Sequence, residues 1–131
     1  MQATGEFHIQ FEPQVPSFKG SNDIKIGRMS IRKKYIGTLE ALSVGEMLSA
    51  SNSAREGSAG YIAMEQIIGT LNGLKGSFVL QHFGIKDSQH QDQRIEVVPG
   101  SGTGELANLK GALTIRIDGG KHFYELNYSI D

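Results

Sequence analysis

Apolar and polar residues alternate with period two along most of the chain, the pattern of strands that bury one face. Phe7, Ile9 and Phe11 alternate with Glu6, His8 and Gln10. Residues 24–38 carry Met29, Ile31 and Tyr35 on one parity, and a further run covers 42–50. Segments 60–71, 74–85, 94–98, 111–117 and 121–130 complete a set of about eight strands. Residues 13–23, 51–58 and 86–93 read as polar connections. Only 103–109 has helical spacing: Leu106 and Leu109 are three apart, Thr103 stands at an N-cap position and Gly111 follows the end. One short helical turn is predicted there.

Two turns set register. Asn72-Gly73 suits a type I′ hairpin turn, which needs φ > 0 at both positions. It pairs Leu71 with Leu74, Ile67 with Phe78, Glu65 with Leu80 and Ala63 with His82, so Tyr61, Ala63, Glu65, Ile67, Phe78, Leu80 and His82 share a face. Gly119-Gly120 pairs Ile117 with His122, Ile115 with Tyr124, Leu113 with Leu126 and Gly111 with Tyr128. The reverse of that second hairpin, with Thr114, Arg116, Glu125 and Asn127, is wet. The reverse of the first is not: Ile62, Met64, Ile68, Val79, Phe83 and Ile85 make it apolar too. One side of a small antiparallel barrel meets water, so this second apolar side calls for cover. A copy of the same chain, docking on Ile62, Met64, Ile68, Val79 and Phe83, is the expected cover, and a folded-over loop is the alternative.

Eight short strands build a barrel or a sandwich. Glycine, 17 of 131 residues and spread along the chain, favours the barrel, whose strands bend as the sheet closes. The expected architecture is all-β: one eight-stranded antiparallel barrel over residues 1–131, with space inside for side chains or one small ligand. A net charge of −1 exerts no global pull on nucleic acid or an anionic membrane. Without cysteine there is no disulfide, thiolate nucleophile or Cys-based zinc site. The N-terminus lacks a basic start and apolar block, and apolar runs of about four residues fall far below the roughly 20 of a membrane span. A cytoplasmic protein is expected.

Residues 97–111 place Gly100, Gly102 and Gly104 at alternate positions between two strand patterns, a shaped corner in a sheet. It is no phosphate loop: Glu105 holds the place of the third fingerprint glycine, and no Lys-Ser/Thr follows. This corner, together with Tyr61-Ile62-Ala63-Met64-Glu65, Gly69-Thr70-Leu71-Asn72-Gly73, Gly76-Ser77-Phe78-Val79-Leu80-Gln81-His82 and Tyr124-Glu125-Leu126-Asn127-Tyr128, resembles an uncharacterised bacterial domain-of-unknown-function family, number 3224, over most of the chain. The resemblance implies a barrel of allene-oxide-cyclase or lipocalin-like type, similar also to plant dirigent proteins. Those relatives are homo-oligomers that hold apolar substrates inside the barrel. Their catalytic apparatus does not carry over, and a shared barrel is a likeness of shape alone.

Candidate chemistry centres on Glu65 and His82, diagonal neighbours roughly 7–8 Å apart at the backbone. A carboxylate beside an imidazole fixes its tautomer and makes an acid/base couple; the same pair also serves simply to satisfy two buried polar groups. Tyr61 and Tyr128 add hydroxyls to the expected pocket, and Ile67, Phe78, Leu80, Ile115 and Tyr124 its walls. His8, His82, His90 and His122 lack metal-ligand spacing, so no metal or cofactor is expected. Lys19, Lys25, Arg28, Arg32, Lys33 and Lys34 cluster with only Asp23 opposing; they read as a solvated strand paired with neighbouring acids rather than a nucleic-acid surface. Three functions follow. The first is a module that binds a small, largely apolar molecule, anchored by Glu65 and His82. The second is an isomerase or cyclase-type enzyme with His82 as acid/base and Glu65 orienting it. The third is a filled, ligand-free structural oligomer. Binding is the leading expectation.

Overall fold

In a computed structural model that describes residues 1–131, the alternating segments close on themselves as an antiparallel barrel, with no helix. The strands are β1 (Gln2–Gln14), β2 (Ile24–Gly37), β3 (Leu39–Asn52), β4 (Ala59–Leu71), β5 (Leu74–Lys86), β6 (Gln91–Val97), β7 (Thr103–Gly104), β8 (Leu109–Asp118) and β9 (Lys121–Ile130). Around the wall the order is β4-β3-β2-β1-β9-β8-β6-β5, and β5 pairs back onto β4 to close the ring of eight. The two-residue β7 lies beside β5. Both hairpin registers are those the turns predict, from Leu71 opposite Leu74 to Gly111 opposite Tyr128. Asn72 and Gly73 adopt φ of 50° and 82°, as a type I′ turn requires.

β1 runs through Pro13, beyond its expected end. Past Phe7, which faces His122 of β9, its only neighbour is β2, so Pro13 sits on an edge that tolerates a missing N–H. The wall is thinnest between β6 and β8, which share one pairing, Glu96 with Ala112.

The expected helical turn at 103–109 is not a helix. Gly104 and Asn108 have φ of 61° and 70°, which breaks any right-handed run into separate turns. The segment instead finishes the lower half of β5, where β6 has ended. Side-chain oxygens of Ser101, Thr103 and Glu105 accept the backbone N–H groups of Val79 (3.0 Å), Ser77 (3.1 Å) and Lys75 (3.2 Å). Alternate residues of the corner thus meet alternate residues of the strand. Thr103 caps a strand edge rather than a helix.

The barrel has a closed and an open end. At the closed end Leu39, Leu71 and Leu106 are sealed from water. There the Tyr124 hydroxyl accepts from the Leu39 N–H (3.0 Å) and donates to the Ile36 carbonyl (3.1 Å), locking the β2–β3 turn. At the other end β1 to β5 project beyond β9, and Phe11 and Ile117, whose positions face inward, are exposed.

Outside, Ile62, Met64, Ile68 and Ile85 share a face with Leu42 and Val44 of β3, all at least half exposed, and Glu46 of β3 stands opposite Met64. Val79 and Phe83 belong to the same face and are half-buried, Phe83 beneath the Arg94 guanidinium at 4.7 Å. The loop after β1 reaches only its upper margin, where Phe18, Ile26, Leu48, Ile62, Phe83 and Ile85 surround a groove of about 330 Å³. No loop covers the middle of this face.

Candidate functional site

Five consecutive-strand residues meet halfway along the barrel. Lys33 and Tyr35 come from β2, Ser43 from β3, Glu65 from β4 and His82 from β5. All five point inward and are buried, Glu65 at 1% exposure. Gly45, opposite Glu65, makes room for the carboxylate arm: a Cβ there would stand 3.2 Å from the Glu65 Cβ and 2.5 Å from the Met64 carbonyl oxygen.

Glu65 is the hub. Its Oε1 accepts from Lys33 Nζ at 3.1 Å and from His82 Nε2 at 2.8 Å. Its Oε2 accepts from the Tyr35 and Ser43 hydroxyls, each at 2.6 Å. Lys33 Nζ also lies 3.4 Å from the Tyr35 hydroxyl and 4.8 Å from the centre of the Phe7 ring. Four hydrogen bonds saturate the carboxylate, and none of the cluster's sealed polar atoms lacks a partner. Burial pushes the Glu65 pKa up, but the His82 hydrogen bond, the Lys33 charge and the two hydroxyl bonds outweigh it and hold the pKa at about 2. Burial, then the Glu65 charge, pushes the Tyr35 phenol well above its ordinary value, so that it stays a donor.

The Glu65–His82 pair forms as the hairpin register predicts. Three of its partners were not foreseen. Lys33 is no solvated strand charge; it lies inside the barrel, whereas Arg28 does pair with Glu46 on the surface. The signal was parity: Lys33 shares the inward set of Met29, Ile31 and Tyr35. Ser43 sits opposite Lys33 and inherits its direction.

The other expected pocket residues divide. Ile67, Phe78, Leu80, Tyr124 and Tyr128 are packed core, and none of them lines the open-end cavity. Ile115 is partly buried against that core. Tyr61 lines a cavity of about 270 Å³ inside the open end, with Met47, Ser49, Gly84 and Gln93 among its walls. Gln93 Nε2 donates to the Tyr61 hydroxyl at 2.6 Å across this mouth. Gly84 and Tyr61 are the next inward residues after His82 and Ala63, so the cavity opens one layer above the ionic cluster.

His82 lies one same-face step below that cavity and is not itself part of its lining. Its Nε2 is held by Glu65, while Nδ1 has no protein partner and is not sealed off, the side chain retaining 7% exposure. A wall of strands, a sealed apolar half, an ionic layer and an open half above it define a small antiparallel barrel with one polar floor. The chain belongs to the family described as "Protein of unknown function (DUF3224)", whose model matches residues 3–128. It is similar to a solved structure, a protein with unknown function from the DUF3224 family of Shewanella oneidensis MR-1. The two are 46% identical, with a TM-score of 0.96, and the match covers 100% of this chain and 98% of that one. No curated protein matches the chain. The comparisons establish family and fold and carry no activity with them.

Proposed function

We propose that the protein binds a small, largely apolar molecule in the open half of the barrel, with His82 as its polar contact. One observation carries this reading: a cavity lined by residues of β3 to β6 opens one same-face step above a buried ionic layer in which His82 Nδ1 has no protein partner. An ionic layer is a poor device for stability alone, because apolar side chains of similar volume do as well or better. Native mass spectrometry of freshly purified protein, followed by denaturing extraction, tests the reading. A retained small organic mass is expected. A clean mass, together with no calorimetric uptake of small aromatic solutes, overturns it.

The isomerase or cyclase-type alternative draws on the same geometry. The 2.8 Å Glu65–His82 bond orients the ring as an acid/base would need. Glu65 itself, with both oxygens saturated, only orients. The two readings part on turnover: an extracted molecule returned to the protein stays unchanged under the first and is converted under the second.

The working unit in this proposal is a homo-oligomer whose copies meet across β3, β4 and β5. Six large apolar side chains there are each at least half exposed, a concentration that on a soluble chain marks an interaction surface. Gln66, Gln81 and Ser77 are the polar residues of β4 and β5 among them, Glu46 of β3 stands beside Met64 paired with Arg28, and the face centres on β4, so a second copy turned about a two-fold axis presents the same largely apolar surface. Sedimentation should give a dimer or larger, and Met64→Lys with Ile68→Lys a folded monomer; a monomeric parent chain ends the idea. The cytoplasm is the proposed setting, in keeping with the cysteine-free composition. No helix is long and apolar enough to cross a membrane.

A further inference from the structure

The ionic layer has one free valence, and its sign is set by its neighbours. An ionised carboxylate only accepts hydrogen bonds, so the proton between Glu65 Oε1 and His82 Nε2 belongs to the imidazole. In the neutral ring a proton on Nε2 leaves Nδ1 a bare lone pair. No protein donor reaches that lone pair, and it is not sealed away.

The groups around the ring offer no competing contact. On β2, Lys33 is occupied by Glu65, the Tyr35 hydroxyl and the Phe7 face. The hydroxyls of Tyr35 and of Ser43 on β3 both donate to Glu65. On β4 the Tyr61 hydroxyl is engaged by Gln93 of β6. The residue paired with His82 on β6 is the apolar Ile95. His122 of β9 stacks on Phe7 at 5.1 Å.

We infer that the ligand's polar group is a hydrogen-bond donor, a hydroxyl on an apolar body, which donates to His82 Nδ1. This inference rests on the binding reading above and names the class of molecule that reading leaves open. An ether, ester or ketone of the same shape brings lone pair against lone pair and leaves Nδ1 desolvated without a partner. The apolar body occupies the cavity beside Tyr61, Met47 and Gly84, about 7 Å or one same-face step from the His82 position. Selection by Nδ1 therefore depends on the hydroxyl reaching one layer below the cavity lining, past the polar wall residues Ser49, Gln93, Lys86 and Asp92.

Three size-matched probes test it: 2-naphthalenemethanol, its methyl ether and 2-methylnaphthalene, titrated calorimetrically into the full chain at pH 8. Nitrogen NMR of the histidine rings is recorded alongside. The alcohol should bind about tenfold tighter than the ether. The His82 Nδ1 resonance should move toward the protonated range with the alcohol alone. An ether that binds as tightly as the alcohol, or an alcohol that binds without moving Nδ1, overturns the inference and leaves the cavity reading standing. If none of the three binds, the cavity reading falls and the inference with it.

Discussion

The two halves of the barrel interior share β2 to β5 yet behave as different materials. The closed half is a continuous apolar solid: Leu39, Ile67, Leu71, Phe78 and Leu126 are fully buried, and Leu106 seals them from below. The open half is lined by small and polar residues, Ser49, Gly84 and Gln93 beside Met47 and Tyr61, and it holds a cavity instead of side chains. Between them lies the Lys33–Glu65–His82 layer. The closed half excludes water and so strengthens every charge interaction in that layer; the open half leaves one side of it reachable. Stability and access are thus assigned to opposite ends of the same strands.

The largest effect in this comparison belongs to the boundary. Glu65→Leu strands the Lys33 ammonium in the apolar interior and leaves Tyr35, Ser43 and His82 without their acceptor, a loss of about 3–5 kcal/mol by urea denaturation. The double variant Lys33→Met with Glu65→Leu removes both charges and should recover the part of that loss due to the stranded ammonium, while Tyr35, Ser43 and His82 stay without their acceptor. A double variant no more stable than Glu65→Leu alone would mean that the stranded ammonium is not what the single change costs.

Acid attacks the same boundary without a mutation. The folded Glu65 pKa of about 2 lies below its unfolded value, so the ionised carboxylate contributes stability at neutral pH. That contribution, on the order of 3 kcal/mol, is complete above the unfolded value near 4.5 and is lost as pH falls toward about 2. Denaturation curves between pH 6 and 2 should show this decline in the parent chain and a shallower one in the double variant.

The closed half was the more legible in the sequence. Its apolar residues alternate cleanly, and two-residue turns at Asn72-Gly73 and Gly119-Gly120 set registers that hold in full. The corner was legible as a corner but not as the partner of β5, because Leu106 and Leu109 at a spacing of three mimic a helix, and positive φ at Asn108 has no strong local signature. Glu65 and His82 were found because both lie in one registered hairpin. Lys33 and Ser43 lie on strands joined to that hairpin only through β3–β4 pairing, whose register no short turn declares: β3 and β4 are linked through residues 53–58. Lysine also surfaces so regularly that its place on an apolar parity was outweighed by the charges around it.

Matched truncations put the two ends side by side. Leu106→Ala removes the seal of the closed half and should cost about 2–3 kcal/mol, toward the low side for a buried leucine because turns on both sides let the corner relax. Met47→Ala in the open half widens an existing cavity whose lining already meets solvent, and should cost less than about 1 kcal/mol. Equal losses would mean that the open half is packed as tightly as the closed one in solution, and the distinction between the two would fail.

The smallest expected effect is also the most discriminating. Tyr61→Phe deletes the hydroxyl that Gln93 engages across the mouth and leaves the ring in place. Water replaces that bond on a partly exposed side chain, so stability should fall by no more than about 0.5 kcal/mol. The cavity keeps its shape, and an alcohol seated on His82 should bind with nearly its parental affinity, since Tyr61 contributes wall and not anchor. A loss near 2 kcal/mol would place the mouth inside the folding unit. A large loss of affinity at unchanged stability would instead move the polar contact from His82 to Tyr61, in the cavity wall rather than one layer below it.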